Sequence, residues 1–306
     1  MYYPYLRGRQ FELIALREYA HQKGDNNKVI PIIEPVKSTF NSMKLAIPKL
    51  NSGNVRFALI LNPQDGDCKN PEIILQNLSR ELEDRSTWIP TFILTNNLKE
   101  VSELLTRYSF MEVMVICSDL VDTSTKEFNN LVLSASIKYI VTKENRTLKR
   151  ALRGQNKNLI RLDDKFEAQS RNSDYLSIPE QKFTEEHTFF PEDGYNGFSD
   201  YTVIASEFKE GGSTPYAVAI HLTYQKDNNE IWIRHFTSES NFGRENIQGK
   251  FEEAARKAVI FINENNINTH AAKELIEYYN LQKYPGLGMV KKISIKHHLE
   301  LINNIL

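Results

Sequence analysis

The chain has 306 residues, with 38 Lys and Arg against 39 Asp and Glu and a formal net charge of −1, so it carries no global field to hold a phosphate backbone or an anionic membrane surface. Its two cysteines, Cys68 in a polar loop and Cys117 in an apolar run, are too few for a disulfide framework and lack zinc-ligand spacing, which points to a reducing cytoplasm. The amino-terminal MYYPYLRGRQFELIALRE places charges where a secretory signal needs its apolar core, and no apolar run approaches about 18 residues, so a soluble, unexported protein is expected.

The length suffices for a sizeable core, and the expectation is a single barrel-like body over residues 1–306. PYLRGRQFELIALRE (4–18) has an extended start with Arg7 and Arg9 around Gly8, then Phe11, Leu13, Ile14 and Leu16 in a helix. VIPIIEP (29–35), rich in β-branched residues, is expected as the first strand and RFALILNP (56–63) as the next. A helix with Pro71 in its first turn follows, with Ile74, Leu75, Leu78 and Leu82 at helical intervals. WIPTFILT (88–95) with Leu98, Val101, Leu104 and Leu105 repeats the unit, as does EVMVICSD (112–119) with Phe128, Leu131 and Val132. IKYIVTKE (137–144), a short helix through Leu148 and Leu152, and NLIRLDD (158–164) complete six strands. Strand and amphipathic helix alternating about every 20 to 30 residues is the order of a parallel α/β fold.

Beyond Asp164 the pattern changes. Residues 165–199 are dense in charged, aromatic, Gly and Pro residues without a clear period, and are expected as a rim insertion or lid. DYTVIASEF (200–208), PYAVAIHLTY (215–224) and EIWIRHFT (230–237) read as strands, the last two joined by QKDNN into an antiparallel hairpin. Helices are expected around 247–264, 270–282 and 293–304 within a C-terminal helical region (244–306), with a Gly-Leu-Gly turn at 286–288. The fold class predicted is a TIM-barrel-like (β/α) barrel of about eight strands, its last third modified by the antiparallel hairpin and C-terminal helices. An open doubly wound sheet shares the same first half, but no G-x-G-x-x-G follows a strand, so no nucleotide-cofactor motif is present.

Parallel strands deliver their ligands at the carboxyl ends, which puts Glu34, Asn62, Asp119 and Asp163 on one expected rim. Glu34, Asp119 and Asp163 are the candidate metal ligands, for Mg²⁺ or Mn²⁺, because hard cations take several oxygens. Asp164 is the acid/base candidate and Arg171 the stabiliser of developing negative charge; Asn172 and Asp174 share their segment, RLDDKFEAQSRNSDY (161–175), as ligand-binding candidates. The bland alternative is that these carboxylates cap helices or pair with Arg7, Arg9, Arg161 and Arg171. Arg7 and Arg9 are anion-binding candidates. His221 and His235, each in a hairpin strand, are further ligand-binding candidates, while the adjacent His297 and His298 point about 100° apart on a helix and do not readily hold one metal. The Gly-Leu-Gly turn before Lys291 and Lys292 offers a weak phosphate site.

YYPYLRGRQFELIALRE, VIPIIEP, DDKFEAQSRNSDY, GFSDYTVI, PYAVAIHLTY and YPGLGMVKKISIKHHLELI resemble an uncharacterised bacterial protein group within or near the phage beta-protein family, over nearly the whole chain. The broader family shares the opening P-x-L-[KR]-x-[KR], here Pro4, Leu6, Arg7 and Arg9, and the strand ending in Glu34. The resemblance implies phage-related or defence biology and a partner encoded by a neighbouring small gene; it implies no activity. Three functions remain open: a divalent-metal-dependent hydrolase of phosphodiesters or related anionic substrates, a noncatalytic subunit binding a small anionic ligand or a partner on the same rim, and a nucleic-acid-binding protein, which the net charge disfavours.

Overall fold

The computed structural model describes residues 1–211 and 214–306, which divide into two compact units. The first comprises Met1–Arg9, Asn27–Asp163 and Glu186–Asp200; the second comprises Gln10–Asn26, Asp164–Glu185 and Tyr201–Leu306. The elements run β1 (Tyr5–Leu6), α1 (Gln10–Gln22), β2 (Ile32–Ile33), α2 (Asn41–Ser52), β3 (Phe57–Ile60), α3 (Pro71–Asn77), β4 (Trp88–Leu94) and α4 (Leu98–Arg107). They continue β5 (Val113–Cys117), α5 (Lys126–Leu133), β6 (Ile137–Thr142), α6 (Arg146–Ala151), β7 (Asn158–Leu162), a 3₁₀ turn (Asn172–Leu176), β8 (Glu180–Thr184) and α7 (Glu186–Phe189). The chain ends with β9 (Gly197–Ser199), β10 (Ala219–Gln225), β11 (Ile231–Thr237), α8 (Ile247–Glu264), α9 (His270–Asn280) and α10 (Leu287–Ile305).

In the first unit β1 to β7 and β9 pair in that order as one parallel sheet. Runs such as FALI and VMVIC are buried along their whole length, as strands covered on both faces must be. The two edges meet. Tyr2 bridges to Phe198, Tyr3 N–H donates to the Phe198 carbonyl at 2.8 Å and Tyr5 N–H to the Asp200 carbonyl at 2.8 Å. The result is a nearly closed, TIM-like barrel of eight parallel strands.

Register decides which side chains point inward, because successive residues of a strand face opposite sides. Met114, Tyr139 and Asn158 stand in register across β5, β6 and β7. The Tyr139 ring lies 6.5 Å from that of Tyr3, and its hydroxyl accepts from Arg56 at 3.4 Å. Those partners precede β1 and β3, which are not neighbours of β6, so this set faces the interior. Gly197 belongs to it: a Cβ there would fall 2.6 Å from the Met1 carbonyl oxygen and 2.6 Å from the Tyr3 ring. Gly197→Ala is therefore expected to lose about 1–3 kcal/mol, an overpacking cost, measured as a lower urea midpoint at unchanged slope.

In the second unit β10, β11 and β8 form an antiparallel sheet in that order. One face carries Ile220, Leu222, Tyr224 and Phe236, which join Phe251, Ala254, Ala258 and Phe261 of α8 and Ala272 and Leu275 of α9 in a hydrophobic core. On α10, Lys292 and Lys296 are buried and each pairs with two carboxylates, Glu18 of α1 (2.9 and 2.7 Å) and Glu274 of α9, the latter at 3.2 Å from Lys296. Lys291 bonds the buried Glu12 at 3.0 Å. Charge buried on α1 and α10 is thus met by an opposite charge from a neighbouring helix, as burial requires.

Several sequence expectations need correcting. The first barrel strand is the two-residue β1, not VIPIIEP. Residues 200–208 form turns rather than a strand, because Thr202 sits at φ 55° and reverses the chain; the eighth barrel strand is β9, just before. Residues 165–199, expected as an irregular insertion, hold the 3₁₀ turn, β8, α7 and β9. The Gly-Leu-Gly turn is instead the start of α10, with Gly286 at φ 91° before it, and a Cβ on Gly288 would overlap the Phe11 ring. Lys291 and Lys292 lie within that helix and are held by glutamates, so no phosphate site stands at its start. Among the described residues, no helix is long and apolar enough to cross a membrane.

Candidate functional site

Glu34, one residue past β2, stands two positions beyond Ile32, which is in register with Tyr5 and Ala58. Alternation turns it inward at the carboxyl-terminal rim. Its Oε2 accepts from the Tyr5 hydroxyl at 2.7 Å, and its Oε1 accepts from the backbone N–H groups of Gln64 at 2.8 Å and Asp65 at 3.2 Å. Arg7 Nε lies 3.5 Å from Glu34 and 3.2 Å from Asp65, and the guanidinium stands over the Tyr5 ring, 5.0 Å from its centroid. Arg7 and Glu34 are both buried.

Two glycines build this cluster. Gly66, at φ 73°, turns the loop after β3 so closely over β2 that a Cβ would fall 2.0 Å from the Val36 carbonyl oxygen, which brings the Gln64 and Asp65 amides onto Glu34. Gly8, at φ 61°, lets the chain leaving β1 pass the Glu34 carbonyl, 3.0 Å from where a Cβ would be. Asn62, the inward residue after β3, is occupied differently: its amide donates to the Ile93 carbonyl at 2.8 Å and accepts from Ile93 N–H at 2.8 Å. It clamps β4.

Asp119 and Asp163 follow the same rim but on the other side of the sheet. Cys117 pairs with Leu94 and Arg161 with Thr142 and Phe198, all out of phase with the inward set, and each aspartate lies two residues further on. Asp119 is exposed and pairs with Lys143 at 2.6 Å. Asp163 accepts from Arg161 Nε at 3.0 Å, and Arg161 also lies within 3.6 Å of Glu144, 3.5 Å of Glu186 and 3.5 Å of Asp193. The expected Mg²⁺ or Mn²⁺ ligands Glu34, Asp119 and Asp163 therefore do not converge, and among the described residues no group of three His, Cys, Asp or Glu side chains is placed to hold a metal ion. The donor set does not fit the ion.

No family model and no curated protein matches this sequence.

The remaining candidates lie in the second unit, apart from the half-buried Arg9. His221 and His235 face each other across the hairpin, with their Nδ1 atoms 2.7 Å apart, so one ring donates the proton between them. Tyr175 packs against both rings at 4.8 and 4.4 Å between centroids, and Phe166 against His221 at 5.2 Å. Burial, with the neighbouring imidazole, pushes His221 down to about 3; burial alone pushes His235 down to about 4. Both rings are neutral at ordinary pH. Asn172 Nδ2 donates to the Ala217 carbonyl at 2.8 Å, Asp174 accepts from Arg171 N–H at 3.0 Å, and Asp164 accepts from the Ser206 hydroxyl. Arg171 is exposed. These contacts fasten segment 164–177 rather than assemble acid/base chemistry.

Two members of the rim cluster, Tyr5 and Asp65, escaped the sequence reading. The signal for Asp65 was present: Asp65-Gly66 directly after a strand marks a turn whose amides are aimed back at the strand ends.

Proposed function

We propose that this chain is a noncatalytic binding protein whose barrel rim receives an anionic group through Arg7, in a phage-related or defence setting. The observation that carries this reading is the saturation of Glu34. With both oxygens engaged by Tyr5, two backbone amides and the Arg7 side chain, this carboxylate has little capacity left to ligate an ion. It acts as a brace. A guanidinium stacked on an aromatic ring and flanked by two carboxylates is oriented in advance, which lowers the ordering cost of gripping a carboxylate or phosphate on a ligand or a partner protein.

The test is calorimetric titration of the purified protein with inorganic phosphate, pyrophosphate and AMP at low salt. Wild type is expected to bind at least one of them, and Arg7→Lys to bind it about tenfold or more weakly, because Lys cannot reproduce the fork, with Tm nearly unchanged. Equal binding by the variant would remove Arg7 from the site. Mn²⁺-dependent cleavage of bis(p-nitrophenyl) phosphate that disappears in Glu34→Gln would overturn the noncatalytic reading in favour of the hydrolase.

A further inference from the structure

The start of α8 and the end of α9 enclose a cavity of about 170 Å³ whose lining includes Phe251, Glu252, Tyr278, Tyr279, Lys283 and Tyr284. The backbone explains why so many rings meet there. Tyr278 and Tyr279 close α9, Gln282 takes φ 52°, and Lys283 N–H returns to the Tyr278 carbonyl at 3.0 Å. That reversal brings Tyr284 back against Phe251, at 5.5 Å between ring centroids and an interplanar angle of 45°. Four aromatic side chains thus line a space with room for a compact head group. The three tyrosines are half-buried and Glu252 is exposed beside them. Burial first, and then the carboxylates of Glu274, Glu18 and Glu277, raise the Tyr278 phenol. Lys283 is the opposing charge, and it is exposed.

Aromatic faces attract cations through their ring quadrupoles, and a methylated ammonium gives up less hydration on entering such a space than a bare one. We infer that this cavity is a cage for a quaternary ammonium group, supplied either by a free choline-type molecule or by a trimethylated lysine side chain. The aromatic walls hold the methyl groups, and Glu252 contributes the countercharge at the mouth.

The decisive comparison uses wild-type protein, so no variant has to fold. Choline and its uncharged isostere 3,3-dimethylbutan-1-ol are titrated separately and followed by NMR shifts of the 247–252 and 278–284 amides. Choline is expected to bind about tenfold more tightly, the value of roughly 1.4 kcal/mol of cation–π attraction. Tyr279→Leu should weaken choline about tenfold, and Lys283→Glu should tighten it. A trimethyl-lysine peptide binding more tightly than choline identifies a polypeptide source, and the reverse a small molecule. Equal binding of the charged and neutral isosteres, or no shift with either choline or the peptide, overturns the cage.

Discussion

Glu34→Ala is expected to destabilise the protein by about 3–5 kcal/mol, because it removes a buried carboxylate facing the Arg7 guanidinium and the acceptor of the Tyr5 hydroxyl and of two backbone amides. Glu34→Gln keeps an oxygen acceptor and the side-chain volume, so it should lose only part of that. Equilibrium unfolding in urea of both variants separates a charge effect from a hydrogen-bonding one. Two variants within about 0.5 kcal/mol of wild type would show that the rim tolerates an unbraced Arg7, since ordinary surface substitutions fall in that range.

Acidification should produce the other large effect. His297 is buried, its Nδ1 lies 2.8 Å from the Thr269 hydroxyl oxygen and its Nε2 2.7 Å from the Thr223 carbonyl oxygen, and burial pushes it down to about 4. His221 and His235 are lowered in the same direction, to about 3 and about 4. An unfolded histidine titrates near 6.5, so on lowering the pH the unfolded chain takes up protons first. Their contribution to stability is then complete above pH about 6.5 and is lost as the pH falls towards 4. For His297 alone, titration at about 4 when folded against about 6.5 when unfolded corresponds to about 3 kcal/mol. Thermal unfolding from pH 7.5 to 4.5 should show Tm falling below pH about 6.5, and His297→Gln should flatten that slope by about one proton. A Tm independent of pH over this interval would contradict the neutral state of the three rings.

The six barrel strands β2 to β7 were legible within a few residues because long apolar runs alternated with amphipathic helical spacing, and burial on both faces leaves just that trace. The closing strands were not. β1 and β9 span two and three residues, too few to show a period, and β8 reads EQKFT, an edge strand whose charged residues mask its alternation. Placement on a common rim was readable for Glu34, Asn62, Asp119 and Asp163, since each ends a parallel strand. Inward or outward orientation was not, because it depends on register with the neighbouring strands, and a shift of one residue exchanges the two faces.

The double bridge from Lys292 and Lys296 to Glu18 has a consequence for biosynthesis. Glu18 and Lys292 are 274 positions apart in the chain. At elongation rates of about 5–20 residues per second, α1 leaves the ribosome on the order of 15–55 s before its partner exists. During that interval its inner face, Leu13, Leu16 and Tyr19, has no docking surface of its own unit to cover it. The amino-terminal helix is thus expected to stay uncovered for most of synthesis, and ribosome-stalled chains ending before α10 should leave it open to proteolysis.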